Sequence, residues 1–269
     1  MTIAPIRPMR VLVACEYSGT VRRAFAARGH DAWSCDLLPA DDRSNRHIIG
    51  DARDYLNDDW DLLIVAHPPC TRLCNAGITW LTTPPKGKTI EQMWGELDEA
   101  ATLFSDFWNA PIARIAIENP VMHRHAKRRI VGYLPPAQII APWQFGEPLQ
   151  KKVCLWLKGL PALSPTKVVQ LPEPEYCIRR SGSRAGQPYR YYFHQGKSGH
   201  ERSRFSLGLR MRWQINGAAT FSMRSQHEPF RYLRNQTGAE RPHRKPMPAP
   251  AAHRQEGRAA LGFSQSHHQ

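Results

Sequence analysis

Long apolar segments are missing from this sequence of 269 residues. No run approaches the roughly 20 apolar residues that a membrane-spanning helix needs, and residues 1–10 lack the apolar core of a secretory signal. We therefore expect a cytoplasmic protein without a membrane partner. The length suits one domain with something appended to it.

Cysteine is sparse, with six residues scattered along the chain. They form no CxxC pair and fall short of the density of a disulfide scaffold, so we expect reduced thiols. Cys70 and Cys74, with His67 nearby, have spacing that could suggest zinc. Because no second ligand pair follows at finger-like spacing, we expect no bound metal.

Acidic residues are in the minority. The 23 Asp and Glu residues face 37 Lys and Arg residues, which gives a net charge of +14 and a pI near 9.9. A basic surface gains affinity for polyanions by releasing counterions from phosphates. We expect nucleic acid as the partner, ahead of an anionic membrane surface.

The most informative stretch is residues 61–70, DLLIVAHPPC. Residues 61–66 are apolar and β-branched, as in a strand buried on both faces of a parallel sheet. Two prolines then end the strand, which places Cys70 in the loop past its carboxyl end, where open α/β sheets keep their chemistry. From these residues alone, Cys70 is either a nucleophile or a packed loop thiol.

A strand, turn and helix precede this stretch. Residues 9–15 are predicted to form a strand, residues 16–20 a turn of small residues, and residues 21–28 a helix. Such a turn brings backbone N–H groups up to a ligand, although the GxGxxG fingerprint of dinucleotide sites is absent. Asp36 follows a second strand at a spacing that suits a ribose diol, or is an ordinary loop aspartate.

Two further strand exits carry acidic residues. Residues 47–52 are predicted to form a short third strand that ends at Asp51. Residues 113–117 form a fifth strand that runs into Glu118. Because parallel strands bring their carboxyl ends together, we expect Glu118 beside Cys70.

The remaining elements are a long helix and a basic second half. Residues 89–108 have the apolar stripe of an amphipathic helix, and residues 138–140 and 152–157 are predicted strands. The basic cluster at 123–129 adjoins the predicted site, which favours phosphate contacts over a merely solvated face. Residues 179–204 mix Arg, Lys, Tyr and Gly, as in loops that bind a nucleic-acid backbone and stack bases.

The motifs PPC at residues 68–70 and ENP at residues 118–120, both at strand ends and in this order, resemble those of the DNA (cytosine-5) methyltransferases, most closely the compact forms of phages and prophages. The resemblance covers about residues 10–160 and a fragment near Arg202. It implies a doubly wound, Rossmann-like S-adenosylmethionine-dependent methyltransferase domain at 9–160 and a short basic region for DNA contact and target recognition at 161–205. It also implies a monomer that binds double-stranded DNA in a bacterial or phage-infected cell.

The resemblance also implies roles for particular residues. Cys70 is the nucleophile that adds to carbon 6 of a flipped cytosine, and Glu118 and Asn119 form the motif that holds the base. The cofactor S-adenosylmethionine is bound by Cys15, Glu16, Tyr17, Ser18, Gly19, Asp36, Asp51 and Pro68. The DNA contacts are assigned to Arg124, Lys127, Arg128, Lys151, Lys152, Arg179 and Arg180.

Two departures from the family pattern keep alternatives open. The first turn reads CEYSG, with less glycine than usual and without the usual Phe. The basic motif, normally QxRxR, is represented by residues 150–152, QKK, where lysine keeps the charge but loses the bidentate fork of arginine. The alternatives are a catalytically inactive nucleic-acid-binding relative and an RNA cytosine methyltransferase.

Residues 206–269 are expected to form a disordered tail, because they hold ten Lys or Arg against three Asp or Glu and are rich in Pro, His, Gln and Ser. Members of the family end in a helix of the form GLADAMADQW. The nucleotides GGGCTTGCGGATGCGATGGCAGATCAATGG encode that peptide, and from the second nucleotide they encode Gly208 to Asn216 of this chain. Our hypothesis is a frameshift near Phe205, which sequencing of the encoding DNA tests: it fails if the shifted frame does not encode that ending.

Overall fold

The computed structural model describes residues 7–66, 68–146, 148, 150–171, 173, 175–178 and 185–191. Their centre is a sheet in the strand order β3-β2-β1-β4-β5-β7-β6. β7 is antiparallel to both of its neighbours, and the pairs among β1 to β5 are parallel. The seven strands are β1 (Arg10–Ala14), β2 (Asp31–Asp36), β3 (His47–Ile49), β4 (Leu62–Val65), β5 (Ile115–Asn119), β6 (Gln138–Ile140) and β7 (Val153–Lys158).

The central strands are buried on both faces. Val11 and Ile64 belong to one hydrophobic cluster with Phe25 of the first helix. Leu12 and Leu63 alternate with them along β1 and β4, point to the other face, and are equally inaccessible to solvent. The expectation of an α/β domain with a mostly parallel, doubly covered sheet is confirmed.

Three α-helices accompany the sheet in the described residues: α1 (Thr20–Ala26), α2 (Ile90–Trp108) and α3 (Arg124–Arg129). The predicted helix at 89–108 is confirmed. It begins at Thr89, whose hydroxyl accepts a hydrogen bond from the backbone N–H of Gln92 while the Gln92 side chain accepts one from the backbone N–H of Thr89. Short 3₁₀ helices span Ala52–Tyr55, Asn75–Leu81 and Pro142–Gln144. None of the helices in the described ranges is long and apolar enough to cross a membrane.

Two features differ from the expectations. The strand predicted at 113–117 runs instead from Ile115 to Asn119, so that Glu118 is inside β5 and not after it. The chain also forms a hairpin of β8 (Glu175–Ile178) and β9 (Pro188–Tyr191), so that β9 lies within residues 179–204, where the composition predicts a loop. Residues 192–269, which include the predicted tail and the proposed frameshift, lie outside the described residues.

Candidate active site

The carboxyl ends of the parallel strands converge at one edge of the sheet. Ala14, the last residue of β1, pairs with Cys35 on one side and with Val65 on the other. Cys15, Asp36 and the loop that contains Cys70 therefore leave the sheet side by side.

The loop after β4 is held in a helical turn. The carbonyl oxygen of Cys70 accepts hydrogen bonds from the N–H groups of Leu73 at 3.0 Å and Cys74 at 2.9 Å. The turn is joined to the segment after β5 by a bridge between Cys74 and Met122 and by a hydrogen bond from His123 N–H to the Leu73 carbonyl oxygen at 3.0 Å. The loops that follow β4 and β5 are thus fixed to each other.

Arg72 attaches the same turn to helix α2. Its guanidinium is buried and donates to a Glu96 carboxylate oxygen at 2.6 Å. The same guanidinium lies over the ring of Trp80, 4.7 Å from the centroid, and the Arg72 carbonyl oxygen lies 2.7 Å from Nε2 of His123. These contacts leave the backbone beside Cys70 little freedom to move.

The pKa of the Cys70 thiol is raised to about 12. Burial contributes most, followed by the negative charges of Glu118 and Cys74, whereas the charge of Lys151 lowers it. Part of the residue still reaches the surface. In the free protein the thiol is therefore protonated at neutral pH.

Glu118 is buried in β5, and burial raises the pKa of its carboxyl group to about 7. Lys151 opposes this rise as well. Lys151 therefore lies close enough to Cys70 and to Glu118 to interact electrostatically with each of them. A carboxyl group that titrates near neutral pH can donate a proton or accept one.

Asn119 is fully buried at the end of β5, and among the described residues neither the amide nitrogen nor the amide oxygen of its side chain has a hydrogen-bond partner. Gln150 also has a buried side-chain oxygen without a partner in the described part of the chain. Buried polar atoms in proteins are nearly always paired, so orphaned ones need an explanation. At the carboxyl edge of the sheet, a ligand that supplies the missing partners is the explanation that fits.

A second group of predicted residues surrounds the end of β1. Cys15 has a left-handed backbone conformation with φ of 57°, and the pKa of its thiol is raised by burial and then by the charges of Asp36, Cys35 and Asp51. The side chains of Cys15, Asp36 and Asp51 are therefore brought together. Asp36 accepts a hydrogen bond from Leu38 N–H at 3.0 Å, and burial raises its pKa.

Asp51 is engaged with its neighbour Arg53. Its carboxylate accepts hydrogen bonds from the Arg53 backbone N–H at 2.9 Å and from the guanidinium at 2.5 to 3.0 Å. It also begins the 3₁₀ helix Ala52–Tyr55. Asp51 therefore stabilises its own loop, whatever else it contacts.

The turn after β1 is organised by Glu16. Its buried carboxylate accepts hydrogen bonds from the N–H groups of Val21 at 2.5 Å and Arg22 at 3.1 Å, and from the Ser18 hydroxyl at 3.3 Å. The helix N–H groups that sequence analysis assigned to a ligand are thus occupied by the protein's own side chain. The role that the structure gives Glu16 is to hold helix α1, and burial raises the pKa of its carboxyl group to about 7.

The other residues of this turn are closely packed. Gly19 has φ of 65°, and a Cβ there would lie 2.3 Å from Nη2 of Arg22. The Tyr17 carbonyl oxygen accepts a hydrogen bond from Asp41 N–H at 3.0 Å. Pro68, after β4, is buried.

The basic residues predicted to contact DNA separate into two groups. Arg124, Lys127 and Arg128 are exposed on α3, and Lys152 is exposed before β7, whereas Lys151 is half-buried and acts on the site itself. Arg179 and Arg180 lie outside the described residues. Within the described part of the chain, no group of three or more His, Cys, Asp or Glu side chains is arranged to hold a metal ion.

Comparisons with known proteins add little to this geometry. No protein-family model matches the chain, and no curated protein matches it. Two crystal structures of WbdD, one of them with the kinase inhibitor LY294002, share 12% sequence identity with the chain, at TM-scores of 0.32 and 0.31. They match 69% and 72% of this chain but only 42% and 46% of their own, so the chain spans less than half of their length.

Proposed function

We propose that the chain is an S-adenosylmethionine-dependent DNA (cytosine-5) methyltransferase with a doubly wound, Rossmann-like fold. The observation that carries the proposal is the meeting of Cys70 and Glu118 at the carboxyl edge of the sheet, where β5 ends at Asn119, whose buried amide has no hydrogen-bond partner among the described residues. A nucleophile, a group that titrates near pH 7 and an unsatisfied amide are what the attack on a cytosine ring requires.

Each residue then has a defined task. Cytosine carbon 5 is a poor nucleophile until another group adds to carbon 6. Sγ of Cys70 forms that bond, while Glu118 in its protonated form gives its proton to N3 and so neutralises the charge that develops on the ring. After transfer a water molecule takes the proton on carbon 5, Sγ leaves carbon 6 as the thiolate, and Glu118 recovers the proton from N3.

The residues around the end of β1 fit the cofactor. S-adenosylmethionine, when bound, supplies the methyl group. The Asp36 carboxylate, at the end of β2, can accept hydrogen bonds from the two hydroxyls of a ribose. Asp36→Asn should weaken S-adenosylmethionine binding by about 1–3 kcal/mol in calorimetry, whereas Asp98→Asn, at an exposed position on α2, should leave it unchanged. Equal affinities for both variants would remove Asp36 from the cofactor site.

The exposed cations on α3 support DNA as the substrate. Arg124, Lys127 and Arg128 lie on one short helix, α3, which follows β5 and the site. Phosphate contacts of this kind offset the few kcal/mol that flipping a base out of the duplex costs. Binding to duplex DNA should fall steeply with salt, and a flat salt response would leave these charges without the proposed role.

A second candidate is a catalytically inactive nucleic-acid-binding relative. The occupied helix N-terminus at Glu16 and the protonated Cys70 thiol of the free protein favour it. Transfer of a labelled methyl group to duplex DNA separates the two. Wild type and Cys74→Ser should transfer it and Cys70→Ser should not, because a hydroxyl is a far weaker nucleophile. Inactivity of all three would favour the binding protein, and a preference for RNA in competition would redirect the proposal to RNA cytosines.

A further inference from the structure

Lys151 reaches the site because β7 runs against the other strands. In the antiparallel pairing of β5 and β7, Asn119 lies opposite Cys154 and Glu118 lies opposite Leu155. Asn119 is the last residue of β5, so the residues that precede β7 continue beyond the carboxyl end of β5. Lys151 is therefore placed over the edge of the sheet where Cys70 and Glu118 lie.

Lys151 differs from its neighbour Lys152 in what it acts on. The positive charge of Lys151 favours the ionised forms of both Cys70 and Glu118. Lys152 is exposed, and its charge acts with that of Lys127 on the thiol of Cys154. The two adjacent lysines thus face different surroundings, although the sequence gives them the same character.

Among the described residues around Cys70 and Glu118, one positive charge acts on both. Cys70 faces the negative charge of Glu118 and the thiol of Cys74, and Glu118 also acts on Cys154. Lys151 is the cation that acts on both Cys70 and Glu118 among the described residues. With Lys151 charged, the pocket accommodates one negative charge, on the carboxylate or on the thiolate.

We propose that Lys151 is a positioning residue for the transfer reaction, whose ammonium group balances the one negative charge that Cys70 and Glu118 share. The inference rests on the proposed function. It assigns Lys151 to the reacting groups and not to the phosphate backbone of DNA.

The shared charge gives a route to the nucleophile. When the S–H bond of Cys70 breaks and its proton is bound by the Glu118 carboxylate, an O–H bond forms and the net charge of the pocket does not change. Lys151 faces one negative charge before and after this step. The step produces the two species that the reaction needs, a thiolate and a protonated carboxyl group.

The reactivity of Cys70 tests this assignment without requiring methyl transfer. The full-length protein is treated with iodoacetamide between pH 6 and 10, quenched, unfolded and digested with trypsin. Arg72 separates Cys70, in the peptide 54–72, from Cys74, in the peptide 73–86, so mass spectrometry can follow Cys70 alone. The variants are Lys151→Met, Lys151→Arg and Glu118→Gln, with Lys152→Met as the matched control.

Lys151→Met should slow alkylation of Cys70, about tenfold for each unit by which the thiol pKa rises. Lys151→Arg should retain the wild-type rate, and Glu118→Gln should accelerate alkylation because it removes a negative charge. Lys152→Met should leave the rate unchanged. Melting temperatures of the same variants show whether each one is folded.

The assignment is overturned if the rate of Cys70 alkylation depends on pH in the same way in Lys151→Met and Lys152→Met. It is also overturned if both variants lower only the affinity for DNA. Suppose that Cys70 is alkylated more slowly in Lys151→Met alone, and that the wild-type protein transfers no methyl group. The effect of Lys151 on Cys70 would then stand, and the methyltransferase proposal would be overturned. The two ideas therefore fail separately.

Discussion

Gly77 approaches the backbone of Thr71 so closely that a Cβ on Gly77 would lie 2.0 Å from the Thr71 carbonyl oxygen. Thr71 follows Cys70 directly, and a backbone atom cannot move aside as a flexible side chain can. The absence of a side chain at Gly77 therefore sets how tightly the 3₁₀ helix Asn75–Leu81 packs against the Cys70 turn.

Gly77→Ala should lower the free energy of unfolding by about 1–3 kcal/mol, as overpacking does, and should displace Cys70 enough to reduce methyl transfer. Gly95→Ala is the matched control, because Gly95 lies within α2 and a Cβ there would meet no described residue outside the backbone of its own helix within 4 Å. That variant should gain about 0.5–1 kcal/mol. Urea unfolding of both variants measures the difference, and equal stabilities would show that the turn adapts.

Asn119→Leu should retain or raise the free energy of unfolding, by up to about 1–2 kcal/mol, because it removes two buried atoms that have no partners among the described residues. The same change should abolish methyl transfer. Asn109→Leu is the control, since its side-chain nitrogen donates to the carbonyl oxygens of Ser105 at 2.8 Å and Val131 at 3.0 Å. That variant should lose about 1–2 kcal/mol. Similar losses in the two variants would mean that the Asn119 amide is structural.

Glu118 should make stability depend on pH. Its pKa is about 7 in the folded protein and 4.5 for the ordinary group, so the folded state binds more protons between these values and stability falls as pH rises from 4.5 to 7. The ionised Glu118 lowers the free energy of unfolding by about 3 kcal/mol, and this loss is complete above pH 7. Glu118→Gln should remove the loss. Urea unfolding of both proteins at pH 4.5 and pH 8 measures the difference.

Glu96→Gln is a control, because Glu96 should change the stability with pH in the opposite direction. Hydrogen bonds and charges from Lys88 and Arg72 lower the pKa of Glu96 despite its burial. The stability that Glu96 provides is therefore lost as pH falls through its folded-state pKa. If Glu118→Gln lost stability relative to wild type as pH rose, the assigned burial of Glu118 would be contradicted.

Much of the sheet could be predicted because its signals are local. The continuous apolar runs of β1 and β4 indicate strands buried on both faces. Pro68 and Pro69 end β4 before Cys70. The meeting of Cys70 with Glu118 then follows from the geometry of parallel strands, which place their carboxyl ends at one edge.

The direction of β7 could not be predicted in the same way, because an apolar run does not indicate whether a strand is parallel or antiparallel to its neighbours. That direction brings Lys151 to the site, and without it the lysine resembles any other basic residue near DNA. The hydrogen bonds of Glu16 within its own turn could not be predicted for a related reason. A turn that can hold a ligand and a turn filled by its own carboxylate have the same small residues, and only the hydrogen bonds to Val21 and Arg22 distinguish them.

The most direct test of the central claim is covalent trapping on a DNA duplex that contains 5-fluorocytosine. Fluorine on carbon 5 cannot leave as a proton does, so the bond between Sγ of Cys70 and carbon 6 should persist after methyl transfer. We expect a stable protein–DNA adduct that maps to the peptide 54–72, requires S-adenosylmethionine, and is absent in Cys70→Ser but present in Cys74→Ser. Failure of the folded wild-type protein to form an adduct with duplex and cofactor, or an adduct at another cysteine, would contradict the account.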